Sequence, residues 1–103
     1  MMRPALTAER LTRAADEAAK VFEVPQREIL SRLRIPSVSR ARQAMYAAIY
    51  DGCQTSYTEM AWRLDRDHST LIYGIKRARA MAADDSEFAV ALARVCAVVR
   101  YGY

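Results

Sequence analysis

Apolar residues in this chain recur at spacings of three and four, and only three glycines interrupt 103 residues rich in alanine. A period near 3.6 lines apolar side chains along one stripe of an α-helix, and no segment shows the period of two that a half-buried strand would. The spacing predicts an all-α fold. With 52% hydrophobic residues, the chain is long enough for one modest core and too short for two.

The helices can be placed by their stops and starts. Thr7 or Ala8 opens a first helix that runs to about Phe22 on the stripe Leu11, Ala14, Ala15, Ala18 and Phe22. Pro25 suits the first turn of a short second helix, "PQREILSRL", with Ile29, Leu30 and Leu33 turned inward, and Pro36 is expected to end it. That leaves "RLRIPSVS" as a loop holding Arg32 and Arg34. Ser37 or Ser39 should cap a third helix that buries Val38, Ala41, Met45, Ala48 and Ile49 and stops at Gly52. Ser56 and Glu59 form a capping box for a fourth helix of about two turns, with Met60 and Leu64 on the core side.

Asp65 and Arg66 then make a turn into a fifth helix, from Asp67 to about Met81, burying Leu71, Ile72, Ile75 and Ala78. A last helix starts near Asp84, Asp85 and Ser86, with Asp84 and Glu87 at capping-box spacing, and reaches about Arg100 on Phe88, Leu92, Val95 and Val99. Two short helices joined by a tight turn predict a helix-turn-helix over about 56–82. Residues 1–6 read as a flexible arm and 7–103 as one helical domain, about six helices in all.

The charge is uneven. Residues 25–79 hold nine arginines and Lys76 against five acidic residues, whereas the flanking segments are neutral or slightly acidic. Arginine's planar fork fits phosphate oxygens and guanine edges better than lysine does, so this middle segment points to a polyanionic partner; a merely solvated basic face is the plainer reading. No apolar run is long enough for a membrane span and the start lacks a signal peptide's apolar block, so a cytoplasmic protein is expected. Cys53 and Cys96 lack the spacing or partners of a metal site, and both should be reduced, with Cys96 in the core.

The only histidine stands in "RLDRDHSTLIYGIKRAR". Asp67, His68 and Ser69 carry the side chains of a hydrolase relay, but neighbours on a helix point about 100° apart and cannot line up as nucleophile, base and orienter. No carboxylate pair, metal set or activated nucleophile appears, so no enzyme and no cofactor is expected.

Together, "SRARQAMY" (39–46) and "RDHSTLIYGIKR" (66–77), with Val-Phe-x-Val at 21–24 before them, resemble the C-terminal DNA-binding domain, domain IV, of the bacterial replication initiator DnaA. The resemblance spans about 12–100 and implies a Trp-repressor-like helix-turn-helix that binds double-stranded DNA. It implies that Asp67 accepts a bond from a cytosine while capping its helix, and that His68 and Ser69 lie against base edges, Ser69 without the methyl of the family's threonine. Arg66 and Thr70 would contact phosphates, as would Arg42 and Gln43 on the preceding helix. Arg32 would fall in the basic loop, and Arg34 would enter the adjacent minor groove.

Duller roles exist for several of these: Gln43 could pair within its own helix, Arg40 could be solvated, and Lys76, Arg77 and Arg79 could serve a helix dipole. The sequence departs from the family at the turn, "LDRDH", one residue shorter than the paired-glycine form. Further departures are Ile35 and Pro36 in the loop, Tyr50 where a lysine is common, and Tyr57-Thr58 for Leu-Pro. These 103 residues contain no GxxxxGK[ST] phosphate loop, and the "MMRP" start suggests a naturally short protein.

The implied role is a small regulator of replication initiation or transcription, with the initiator or its sites as partners. The second reading is a protein-interaction module that has kept the fold and lost DNA binding, using Tyr46, Tyr50, Tyr57 and Tyr73. A homo-oligomer is compatible with either.

Overall fold

The computed structural model describes residues 2–102, which form six helices: α1 (Ala8–Phe22), α2 (Gln26–Ile29), α3 (Pro36–Gly52), α4 (Tyr57–Leu64), α5 (His68–Asp84) and α6 (Ser86–Tyr101). Helix α3 is the centre. It packs against α1, α5 and α6, while α2 bridges α1 and α3 and α4 rests on α5. Its sequence explains the position: Ala41, Ala44, Ala47 and Ala48 keep it thin, and Val38, Met45, Tyr46 and Ile49 fill the spaces between its neighbours. The predicted apolar stripes of α1, α4 and α6 supply most of the remaining core through Ala14, Ala15, Ala18, Met60, Leu64, Phe88, Val95 and Val99.

Caps account for most of the boundaries. Thr7 Oγ1 accepts from Arg10 N at 3.1 Å and Ser56 Oγ from Glu59 N at 3.1 Å, so α1 and α4 begin where a side-chain oxygen meets a bare N–H. The capping box at α4 is half made: Glu59 turns to the hydroxyl of Thr55 at 2.7 Å and to Arg63.

Four expectations are corrected. Pro36 does not lie in a loop; it occupies the first turn of α3, with Ile35 as the N-cap and neither Ser37 nor Ser39 capping. A proline there surrenders only an N–H that would have been bare anyway. The second helix is a single turn, and Leu30 and Leu33, each 40% exposed, face outward. Helix α5 runs on to Asp84, so Asp85 caps α6 by accepting from Glu87 N and Phe88 N at 3.0 and 3.2 Å. Residues 3–6 are held against the body: Gln54 N donates to Pro4 O at 2.8 Å, Ala5 bridges Gln54, Arg3 reaches Tyr50 O and Leu6 is buried.

Cys53 is buried and Cys96 half-buried, and both are free thiols. Burial pushes both up from their usual value, which leaves little thiolate at neutral pH.

The contact that sets α5 on α3 is at Gly74. A Cβ added there would sit 2.9 Å from Cδ2 of the buried Tyr46 ring and 3.5 Å from Gln43 Cγ, so the two helices approach to a distance that only glycine permits. Overpacking of this kind costs about 1–3 kcal/mol, of which alanine's better helix propensity returns about 1 kcal/mol. Gly74→Ala is therefore expected to lower the midpoint of thermal unfolding; an unchanged or raised midpoint would show that Tyr46 yields freely.

Candidate nucleic-acid interface

Helix α4 ends at Asp65, which adopts the left-handed conformation at φ 53°. Its N–H and that of Arg66 both donate to Ala61 O, closing the helix in the space of one residue. Aspartate tolerates this region better than most side chains do, and it does here what a glycine would do at no steric cost. Arg66 and Asp67 complete the turn, and α5 starts at His68 with Asp67 at the N-cap. The expected side-chain cap is not formed: the Asp67 carboxylate accepts no bond from the first turn of α5. It is exposed, as are His68, Ser69 and Thr70. His68 Nε2 lies 3.2 Å from Thr58 Oγ1, which ties the mouth of α5 to the first turn of α4.

Next to this mouth runs the loop between α2 and α3. Two clefts join them. One, about 260 Å³, is lined by Ser31, Arg32, Arg34, Tyr46, Asp67 and Thr70, with Arg42, Ala61, Asp65 and Arg66 completing it. The other, about 400 Å³, runs from Arg34 past Gln43 to Ser69, Thr70, Tyr73 and Gly74. Eight of the nine residues singled out in the sequence, Arg32, Arg34, Arg42, Gln43, Arg66, Asp67, Ser69 and Thr70, thus border these two adjoining clefts. His68 projects from the same helix mouth, and Arg42 lies beneath.

Arg42 is the residue whose setting differs most from the expectation of a phosphate contact. It is only 9% exposed, and its guanidinium donates to Ile29 O at 2.8 Å, Leu33 O at 2.9 Å and Glu28 O at 2.8 Å. Burial lowers its pKa, against the opposing pull of Tyr46 and with help from Arg66, yet arginine stays charged far above neutrality. Arg66 is likewise turned inward, donating to Leu64, Asp65, Leu30 and Ser31 carbonyls. Arg32 donates to Asp65 O at 2.9 Å and pairs with its carboxylate at 3.2 Å. That ion pair is highly exposed and adds little to stability. Arg34 is exposed and makes no hydrogen bond or ion pair among the described residues.

The aromatic residues also sort differently from the sequence reading. Tyr46 is buried, and Tyr50 and Tyr57 stack on each other at 4.6 Å, half-buried; of the four tyrosines proposed as a docking surface only Tyr73 is exposed, at 62%. Trp62 was passed over in the sequence. It is 78% exposed on α4, one turn beyond Thr58, and the signal for it was present: it falls outside the Met60–Leu64 core stripe. Arg40, expected to be solvated, pairs with Asp85 at 3.5 Å and lies over Phe88.

The fold and this arrangement define a helix-turn-helix protein, with α4 as its first helix and α5 as its second. The profile of the bacterial dnaA protein helix-turn-helix matches residues 14–78, well over half of the chain, and the chain belongs to that family. The family is one of DNA-binding domains rather than catalysts. No curated protein sequence matches the chain. Among the described residues no helix is long and apolar enough to cross a membrane, and no cluster of side chains could hold a metal ion.

Two outcomes follow from the buried polar groups. Arg42→Ala removes three charge-assisted bonds at once and is expected to cost about 2–3 kcal/mol in denaturant unfolding; a cost under about 0.5 kcal/mol, the level of an ordinary surface change, would show that the loop holds without it. Tyr46 Oη is buried without a hydrogen-bond partner, and burial raises its pKa despite the arginines around it. Tyr46→Phe removes a buried hydroxyl that makes no well-formed hydrogen bond, so the unfolding midpoint should stay level or rise; a clear fall would show that its approach to the Arg66 guanidinium matters.

Proposed function

We propose that this protein binds double-stranded DNA in a sequence-specific manner, at a box of the kind read by the replication initiator whose domain it resembles. The observation that carries this reading is the adjacency of an unpartnered arginine and an uncapped helix mouth. Arg34 and the exposed Asp67, Ser69 and Thr70 border the same two clefts, with His68 beside them. An α-helix mouth of this kind fits a major groove about 12 Å wide, and an arginine on a neighbouring loop suits the electronegative minor groove beside it.

In this reading Asp67, His68 and Ser69 meet base edges. Thr70, Gln43 and Arg32 meet the backbone, and Arg34 enters the minor groove. Arg42 acts from beneath by holding the loop. Occupying sites of the kind the initiator reads makes the protein a competitor at an origin or a regulator of transcription, acting at the nucleoid in the cytoplasm. The domain reads as one unit that takes in the segment from Arg3 to Leu6, with its helix-turn-helix formed by α4 and α5.

Fluorescence anisotropy against a labelled duplex carrying an initiator-type box, and against a scrambled duplex of equal composition, tests the reading. At physiological salt the box should be preferred, and His68→Ala should cost about 1–3 kcal/mol of box affinity while leaving the scrambled duplex unchanged. Arg34→Ala should weaken the box most where its flank is A·T-rich. Equal, weak and salt-sensitive binding to both duplexes would refute specific readout and leave only a general affinity for phosphate.

A further inference from the structure

We infer that Arg66 is a positioning residue, which locks the basic loop and the mouth of α5 into one body, rather than a contact to a DNA phosphate. The inference rests on the DNA-binding reading above and assigns this side chain a different task within it. A guanidinium has five N–H donors, four of them on its two Nη atoms. In Arg66, Nη1 donates to Leu64 O at 2.9 Å and Asp65 O at 3.0 Å, and Nη2 to Leu30 O at 3.2 Å and Ser31 O at 2.7 Å. Only Nε remains. To grip a phosphate with its fork, Arg66 would have to release carbonyls on both sides, and each bond between a charged donor and a carbonyl is among the stronger kinds.

The geometry of the link gives it meaning. Two of the four carbonyls stand at the end of α4 and in the turn after it, and two in the loop after α2. Arg66 precedes Asp67 directly, and Ser31 stands three positions before Arg34. One planar fork therefore joins the segment that presents Arg34 to the segment that presents Asp67 and His68. Arg32 reinforces the seam from the opposite side by donating to the same Asp65 carbonyl. The separation between the minor-groove arginine and the base-reading helix is thus fixed inside the protein before DNA arrives, so the cost of ordering the loop is not charged against binding. A lysine at this position would keep the positive charge but could not bridge four carbonyls, because its three donors radiate from one atom.

Arg66→Lys and Arg66→Ala separate the two roles. A positioning residue predicts that both variants lose about tenfold of the preference for the box over the scrambled duplex, with the salt dependence of binding unchanged. The inference is overturned if Arg66→Lys restores the wild-type preference while Arg66→Ala weakens both duplexes alike and lowers the salt slope by about one counterion.

A DNA-free readout keeps the inference distinct from the function proposed above. In Arg66→Lys the amide resonances of residues 30–35 and 65–68 should move together while α1 and α6 stay put. Movement confined to 65–68 would dissolve the link whatever the protein binds. In the wild type, the Arg66 Nη resonances should show hindered rotation and should not shift on adding the duplex. A shift accompanied by a change in a ³¹P resonance would make Arg66 a phosphate contact after all.

Discussion

A helix of a single turn can satisfy few of its own carbonyl oxygens: in α2, Gln26 O takes the Leu30 N–H and Glu28 O the Ser31 N–H and hydroxyl, while Ile29 O meets no backbone donor of its own segment. Arg42 meets it. Its position on the second turn of α3 brings one guanidinium within hydrogen-bond distance of Glu28, Ile29 and Leu33 at once, where the negative end of a helix favours a cation. Without that interaction α2 would rest on the buried Ile29, the Gln26–Asp16 bond and the Arg66 fork at Leu30 and Ser31. The loop that follows would then lose the bond at Leu33, next to Arg34, and be held only at its start. The site at the surface thus depends on a charge that lies almost wholly beneath it.

The distribution of arginine partners changes what net charge means for this protein. Of the nine arginines between residues 25 and 79, Arg32, Arg40, Arg42, Arg63, Arg66 and Arg79 are bonded to carbonyls or carboxylates. Arg27, Arg34 and Arg77, with Lys76, make no such bond among the described residues. An exposed pair such as Arg32–Asp65 exchanges partners cheaply, whereas Arg42 and Arg66 do not. The charge available to a polyanion is therefore smaller than the composition implies, and the rest is spent on architecture.

Much of the fold could be read from spacing because helices are local. The stripes of α1 and α6, the Ser56 cap and the tight turn at Asp65 all depend on residues within four or five positions of one another, and each lies where the pattern put it. The second helix failed for an equally physical reason. Leu30 and Leu33 continue an apolar spacing, but a loop anchored by arginine bonds leaves no core for them to enter, so they face solvent. Arg42 and Arg66 were legible as important and illegible in role. Apart from Leu64 and Asp65 beside Arg66, their acceptors lie 9 to 36 positions away, and bonds from a side chain to a distant carbonyl leave no periodic trace. The uncapped Asp67 and the exposed His68, by contrast, stand where a helix mouth must be.

Gly74 is a pivot as well as a close contact. It lies six residues beyond His68, about 9 Å along the axis of α5 at 1.5 Å per residue. A tilt of about 10° at that point would swing the helix mouth by about 1.5 Å, several times the tolerance of about 0.5 Å within which a binding constellation keeps its geometry. The missing methyl group at Gly74 thus works as the fulcrum of a short lever, and the aim of His68 is set by an atom that is not there.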